Sequence, residues 1–260
     1  MDLGLRGRAA FVAASSKGMG RAIAQAFAAE GADVGMCARG AAELDAAAAS
    51  VRAHGVRVAA RQCDLAVAGE PERAVDEAAS ELGRLDALVV NAGGPPPGTF
   101  ATMDDEAWRA GHELTLMSAV RLVRAALPHL RRSDAASILF VSSYTVRQPV
   151  PLLVASNSIR LSVVGLAKSL ANELAPAVRV NTLVPGLIRT ERSVELARAR
   201  AGTDRTVDEV IAEMTADIPL GRFGEPEEFA RAAVFLCSPA ASYVTGTVLA
   251  CDGGIVRVPV

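Results

Sequence analysis

Short apolar runs alternate with amphipathic stretches along most of the chain. Residues 8–14, 32–37, 56–61, 85–90, 137–142, 178–184 and 247–252 are apolar runs of strand length. The run 85–90 carries a continuous apolar face, the pattern of a strand buried on both sides. Between these runs, residues 19–30, 41–54, 70–82, 104–131, 152–174 and 226–237 place apolar residues at helical spacing. Gly31, Gly55 and Gly83 stop the first three helices, and Asp104 is placed to cap the fourth. Pro226 opens the last at the first helical position, where its missing N–H costs nothing. Residues 91–100, rich in Gly and Pro, read as a loop, and residues 191–217 form a polar, charged excursion.

Strand and helix alternating at this spacing imply right-handed crossovers and helices on both faces of a sheet. The expected fold class is α/β: one Rossmann-type, doubly wound, mostly parallel seven-stranded sheet, as a single domain over residues 1–260. No internal repeat, low-complexity linker or break in composition divides the chain. The polar excursion is too short to be a domain. It follows the carboxyl end of a strand, where such sheets bind ligands, so a substrate lid is expected at about residues 191–218.

Composition narrows the partners. Hydrophobic residues make up 51% of the chain, ample for a sheet covered on both faces. The formal net charge is −2, with both signs interspersed, so no footprint for nucleic acid or an anionic membrane is present and a small-molecule substrate is expected. Met1-Asp2-Leu3-Gly4 is not a basic segment leading into a long apolar run, so no secretory signal is expected. No run of about 18 uncharged apolar residues exists to span a bilayer. Cys37, Cys63, Cys237 and Cys251 are dispersed, without a Cys-x-x-Cys pair, and read as free thiols of a cytoplasmic protein. His54, His112 and His129 lack metal-ligand spacing, so no metal is expected.

The chemistry begins after the first strand. Ser15, Ser16, Lys17, Gly18, Met19 and Gly20 form a glycine-rich turn opening the first helix. Glycines there let the backbone approach a pyrophosphate, whose charge the helix N-terminus stabilises. The second strand ends Met36-Cys37-Ala38-Arg39, with no acidic side chain to accept from a ribose 2′-hydroxyl. Lys17 and Arg39 fit instead the 2′-phosphate of NADP(H), or are solvated surface charges.

With these residues in order, the chain resembles the short-chain dehydrogenase/reductase family nearly end to end. Residues 13–20 resemble the family's Thr-Gly-x-x-x-Gly-x-Gly turn, with alanines in place of the first Thr and Gly. Asp64 and Leu65 resemble the adenine-contacting segment after the third strand, and Asn91-Ala92-Gly93 the Asn-Ala-Gly closing the fourth. Val141-Ser142-Ser143 resembles the end of the fifth strand, whose second serine is catalytic. Residues 180–190 resemble the Pro-Gly stretch that holds the nicotinamide, which puts Pro185, Gly186, Ile188 and Thr190 among the cofactor contacts. Residues 243–246 and 252–254 resemble the C-terminal signature. The resemblance also implies a homodimer or homotetramer, pairing through the helices at 104–131 and 152–174.

The resemblance breaks at the catalytic group. The family's common chemistry uses Tyr, a Lys four residues on, Ser and Asn. Here the tyrosines are Tyr144 and Tyr243, followed four residues later by Gln148 and Thr247, and the lysines are Lys17 and Lys168. Counting forward from Ser143 and back from residues 165–171 by the family's spacing both lead to Ser156 at the tyrosine position and Arg160 at the lysine position. Lys168 lies about 12 Å further along the helix, and Thr115 stands where the family's Asn is expected. Arg160 keeps the charge and is a further candidate to hold the nicotinamide ribose, but it does not relay protons. A serine hydroxyl is a far poorer acid than tyrosine, so the proton must come from water, from Tyr144 or from the substrate. Tyr144 is either a pocket residue or an aromatic packed under its loop. Gly94 and Pro95, in the stiff Gly-Gly-Pro-Pro-Pro-Gly loop, are substrate-side candidates or only a rigid connection.

Three readings stand at this point: a divergent NADP(H)-dependent oxidoreductase acting on a carbonyl or secondary alcohol, with 3-oxoacyl reductases as its likeness; an NADP(H)-binding sensor or partner subunit without redox turnover; and non-redox chemistry such as dehydration, isomerisation or retro-aldol cleavage. The fold does not choose among them.

Overall fold

The structure, a computed structural model, describes residues 2–201 and 204–258; residues 1, 202, 203, 259 and 260 of the expected domain and lid lie outside the described residues. The strands are β1 (Ala9–Val12), β2 (Asp33–Ala38), β3 (Val58–Gln62), β4 (Ala87–Val90), β5 (Ala136–Val141), β6 (Val178–Pro185) and β7 (Val248–Cys251). They form one seven-stranded sheet in the order β3-β2-β1-β4-β5-β6-β7. Every pairing is parallel, where a mostly parallel sheet was expected. β1, β4 and β5 are buried at every position, which is why their runs are apolar without alternation.

The helices are α1 (Gly18–Ala29), α2 (Ala41–Arg52), α3 (Glu70–Leu82), α4 (Asp105–His112), α5 (Ser118–Leu130), α6 (Val154–Glu173), α7 (Glu191–Ala201), α8 (Val207–Thr215) and α9 (Pro226–Cys237). Residues of α1, α2 and α9 pack with one face of the sheet, through Ile23, Phe27, Val51 and Phe229. Residues of α3, α5 and α6 pack with the other, through Val75, Leu122 and Val163. The strand order reverses at the β1–β4 pair, so a crevice opens above the carboxyl ends of these strands.

The expected helix at 104–131 is broken. A π-turn at Glu113–Met117 separates α4 from α5. The apolar spacing runs through the turn, which hides it from periodicity. Such turns recur at functional sites because the extra residue re-aims the side chains around it. Thr115 sits within it, 5% exposed, its Oγ1 without a hydrogen-bond partner.

The polar excursion folds as α7 and α8, packed through Ala197, Ala201 and Val210. A capping box starts α8: Glu209 N donates to Thr206 Oγ1 at 3.2 Å, and Thr206 N donates to the Glu209 carboxylate at 2.8 Å. The turn Gly253-Gly254 lies against Ile218 and Pro219, which follow α8; a Cβ at Gly253 would stand 2.7 Å from Ile218 Cγ2.

At the amino ends of the strands, buried Asp86 ties three of them together. Its carboxylate accepts from Ala9 N at 2.8 Å, Arg84 Nε at 2.8 Å and Ser133 Oγ at 2.6 Å. Its backbone N–H donates to Ala9 O and its carbonyl accepts from Ser137 N. All four cysteines are unbridged, three buried and Cys251 half-buried. Among the described residues no helix is long and apolar enough to cross a membrane, and no His/Cys/Asp/Glu cluster has metal-binding geometry.

Candidate active site

β1 ends at Val12, and the chain turns over the top of the sheet into α1. Gly20 is packed so closely that a Cβ would land on the Ala14 carbonyl oxygen and 2.9 Å from Asn91 Nδ2. Gly18 takes φ +54, a backbone that side chains rarely adopt, and lies against Thr190. Lys17 sits at the N-cap without a side-chain capping bond, and the first turn of α1 holds no acidic residue. The first-turn N–H groups therefore lack a capping side chain, the arrangement that suits a bound anion.

Ser15 does not face the crevice. It is fully buried, its N–H donating to Cys37 O at 2.9 Å and its hydroxyl directed to the same carbonyl at 3.5 Å. The Asn91 side chain is likewise committed, donating to Ala13 O at 3.1 Å and Ala14 O at 3.3 Å. It clamps the turn to the end of β4. Ser16, Lys17, Arg39, Asp64, Leu65 and Gly93 come together around a cleft of about 450 Å³. Asp64 is held in its own loop, its Oδ1 accepting from Ala66 N and its backbone N–H donating to Glu70. Glu43, absent from the residues singled out in the sequence, also lines this cleft. As an acidic residue in the first turn of α2 it carries the ordinary mark of a helix start, and nothing further flags it.

The second group gathers at the carboxyl end of β5. Ser143 begins a short 3₁₀ turn, its Oγ accepting from Thr145 N at 3.3 Å. Thr145 Oγ1 and Ser156 Oγ stand 3.3 Å apart, both residues buried. One turn further along α6, Arg160 Nη1 donates to Ser142 O at 3.3 Å. The structure thus brings Ser143, Ser156 and Arg160 together, with Thr145 as the link. Sequence spacing does not reveal Thr145, because the contact depends on the 3₁₀ turn folding the chain back toward α6. Ser142 Oγ is buried without a hydrogen-bond partner.

The remaining candidates border these groups. A Cβ on Gly186 would lie 2.7 Å from Asp252 Cα, so β6 leaves the sheet pressed against the end of β7. Ile188 pairs with Gly224, and Thr190 N donates to Ser193 Oγ at the start of α7. Arg189 pairs with Glu225 at 3.1 Å and lies over the Phe223 ring. Pro95 is buried and faces Gly111 of α4, while Gly98 pairs with Leu153 just before α6. Tyr144 is half-buried against the apolar cluster of Ile218, Phe223 and Ile255, joined by Ile211 and Met214 of α8.

Comparison with known proteins agrees with this layout. Residues 13–256 match the family model described as enoyl-(acyl carrier protein) reductase. Human dehydrogenase/reductase SDR family member 4 is 34% identical over 252 residues, 96% of this chain and 88% of that protein. L-sorbose reductase from Gluconobacter frateurii, solved with NADPH and L-sorbose, superposes with a TM-score of 0.96 at 34% identity, covering 99% of this chain and 100% of that one. A short chain oxidoreductase from Pseudomonas aeruginosa PAO1 with an atypical catalytic center, solved with NADPH bound, gives 0.88 at 36% identity, covering 96% and 97%. With the wholly parallel sheet, the glycine turn and this end-to-end similarity, the chain belongs to the short-chain dehydrogenase/reductase family.

Proposed function

We propose that the protein is an NADP(H)-dependent oxidoreductase interconverting a carbonyl and a secondary alcohol, with Ser143, Ser156 and Arg160 in place of the family's common catalytic group. The observation that carries this reading is the convergence of these three residues at the carboxyl end of β5. The chain fits the cofactor: the uncapped N-terminus of α1 suits its pyrophosphate, and Lys17 and Arg39 in the adjoining cleft suit its 2′-phosphate. Backbone at Pro185, Gly186, Ile188 and Thr190 would hold the nicotinamide end, and Asp64, Leu65, Ala92 and Gly93 the adenosine side. When bound, NADP(H) supplies hydride transfer.

The chain's own residues supply binding, orientation and polarisation. Ser143 Oγ donates to the substrate oxygen and polarises it. Ser156 Oγ, steadied by Thr145, gives a second polar contact at the same place. Arg160 stays charged throughout the working pH range and anchors the ribose hydroxyls electrostatically. Neither serine is acidic enough to release its proton outright, so the proton reaching the substrate oxygen is drawn from water. Tyr144, packed against Ile218 and Phe223, would shape the pocket wall, and Gly94 and Pro95, in the loop after β4 packed on α4, remain substrate-side candidates. Helices α7 and α8 would act as the lid, joined to the Tyr144 side of the site where Ile211 and Met214 pack against the Ile218 and Phe223 cluster. The relative from P. aeruginosa supports an NADPH-using centre of unusual composition.

NADPH consumption across a broad panel of carbonyl compounds tests this reading. Turnover that falls about 100-fold or more in Ser143→Ala, with NADPH affinity unchanged, is the expected result. NADPH binding without turnover on any substrate would instead favour a sensor or partner subunit, and conversion without cofactor consumption would favour non-redox chemistry. A homodimer or homotetramer is also proposed: Leu161 on α6 and Leu249 on edge strand β7 are 51% and 39% exposed, apolar surface suited to a second copy.

A further inference from the structure

One of the two cations proposed for the 2′-phosphate is already engaged. Lys17 Nζ stands 3.5 Å from Glu43 Oε1 on α2, and 3.9 Å from Glu191 Oε2 at the start of α7. Glu43 lines the same cleft as Lys17 and Arg39. Its carboxylate folds back over the N-terminus of α2, beside Gly40. Gly40, the N-cap, provides no capping side chain of its own. Glu43's own backbone N–H and the Lys17 ammonium hold this carboxyl below its usual range. An anion of the chain itself therefore occupies the position where a helix N-terminus and Lys17 meet, in the cleft that Arg39 also lines.

We propose that Glu43 is a specificity-determining residue for the cofactor: it holds Lys17 in advance and must yield that cation to the 2′-phosphate. Binding of a dinucleotide bearing the 2′-phosphate then exchanges one anion for another at Lys17. The phosphate carries more charge and more acceptor oxygens than a carboxylate, so the exchange runs toward the cofactor. A dinucleotide lacking that phosphate leaves the Lys17–Glu43 pair in place. Glu43 thus lowers affinity for NADP(H) while leaving NAD(H) affinity as it is. The pair is about half exposed on both sides, so its effect is modest and fades with salt.

The inference rests on the NADP(H) reading, and calorimetric titration separates the two. NADPH, NADH, 2′,5′-ADP and 5′-AMP are titrated at low ionic strength into the wild-type chain, E43Q, K17M and the double variant. E43Q should bind NADPH and 2′,5′-ADP about three- to fivefold more tightly, with NADH and 5′-AMP within about twofold of wild type. On the K17M background the gain should vanish. Unchanged or weaker 2′,5′-ADP binding by E43Q, an equal gain for 5′-AMP, or a full gain persisting with K17M would each overturn the proposal. If the wild-type chain binds neither NADPH nor 2′,5′-ADP, the cofactor reading fails and takes the inference with it. E43A, expected to shift affinity in the same direction, guards against an effect peculiar to glutamine.

Discussion

Gly20 has no room for a side chain, and that makes the phosphate turn a unit. Gly20→Ala would push a methyl group onto the Ala14 carbonyl and the Asn91 amide that clamps it. A destabilisation of roughly 2–3 kcal/mol is expected, with NADPH affinity falling at least about tenfold because the turn can no longer close. Chemical denaturation and a binding titration read the two effects. The glycine was legible in the sequence as part of a turn signature; the carbonyl it rests on was not. The same holds for the side chains around Ser143. The residue types at 143, 156 and 160 could be picked out by counting, whereas Thr145, linking 143 to 156, is invisible until the 3₁₀ turn is seen. Ser15 shows the converse: its place in the signature suggested a ligand contact, and its burial against Cys37 turns the side chain away.

At the level of elements, the strands were legible because both of their faces are covered, which removes polar alternation and leaves compact apolar runs. The π-turn was not, since Ala110, Leu114 and Met117 continue a helical apolar spacing through it. The charged stretch after β6 reads only as a polar excursion because α7 and α8 bury little, mainly Ala197, Ala201 and Val210. A helix pair with so small a core depends on its caps. Thr206→Ala removes the hydroxyl that accepts from Glu209 N and should lower the local stability of α8 by about 1 kcal/mol. Hydrogen exchange would show faster opening of the α8 amides, while the melting temperature of the whole chain stays nearly constant, because the large core clusters lie elsewhere.

For the whole molecule, Asp86 is the main polar tie at the lower edge of the sheet. Burial pushes its carboxyl up, but hydrogen bonds from Arg84, Ser133 and the Ala9 N–H, with the Arg84 charge, outweigh burial and hold it below the ordinary value of 3.8. A depressed carboxyl stabilises the folded chain at neutral pH, and this contribution is lost as pH falls below 3.8 and through the folded-state value. Asp86→Asn should cost about 2 kcal/mol at neutral pH by weakening the hydrogen bonds that the carboxylate accepts from Arg84, Ser133 and the Ala9 N–H. The gap between wild type and variant should narrow in acid, as urea denaturation at a series of pH values would show. NADPH binding by the folded variant should be unaffected.

Because all seven strands run the same way, every strand starts at one rim of the sheet and finishes at the other. The rim where they start is cross-tied through Asp86 to Ala9, Ser133 and Ser137. The rim where they finish bears Lys17, Arg39, Ser143, Ser156 and Arg160. Framework and proposed site therefore draw on separate sets of positions. Exchanges at the proposed site need not loosen the joinery, which makes this chain a tolerant platform for redesign: Ser156→Tyr or Arg160→Lys asks nothing of the opposite rim.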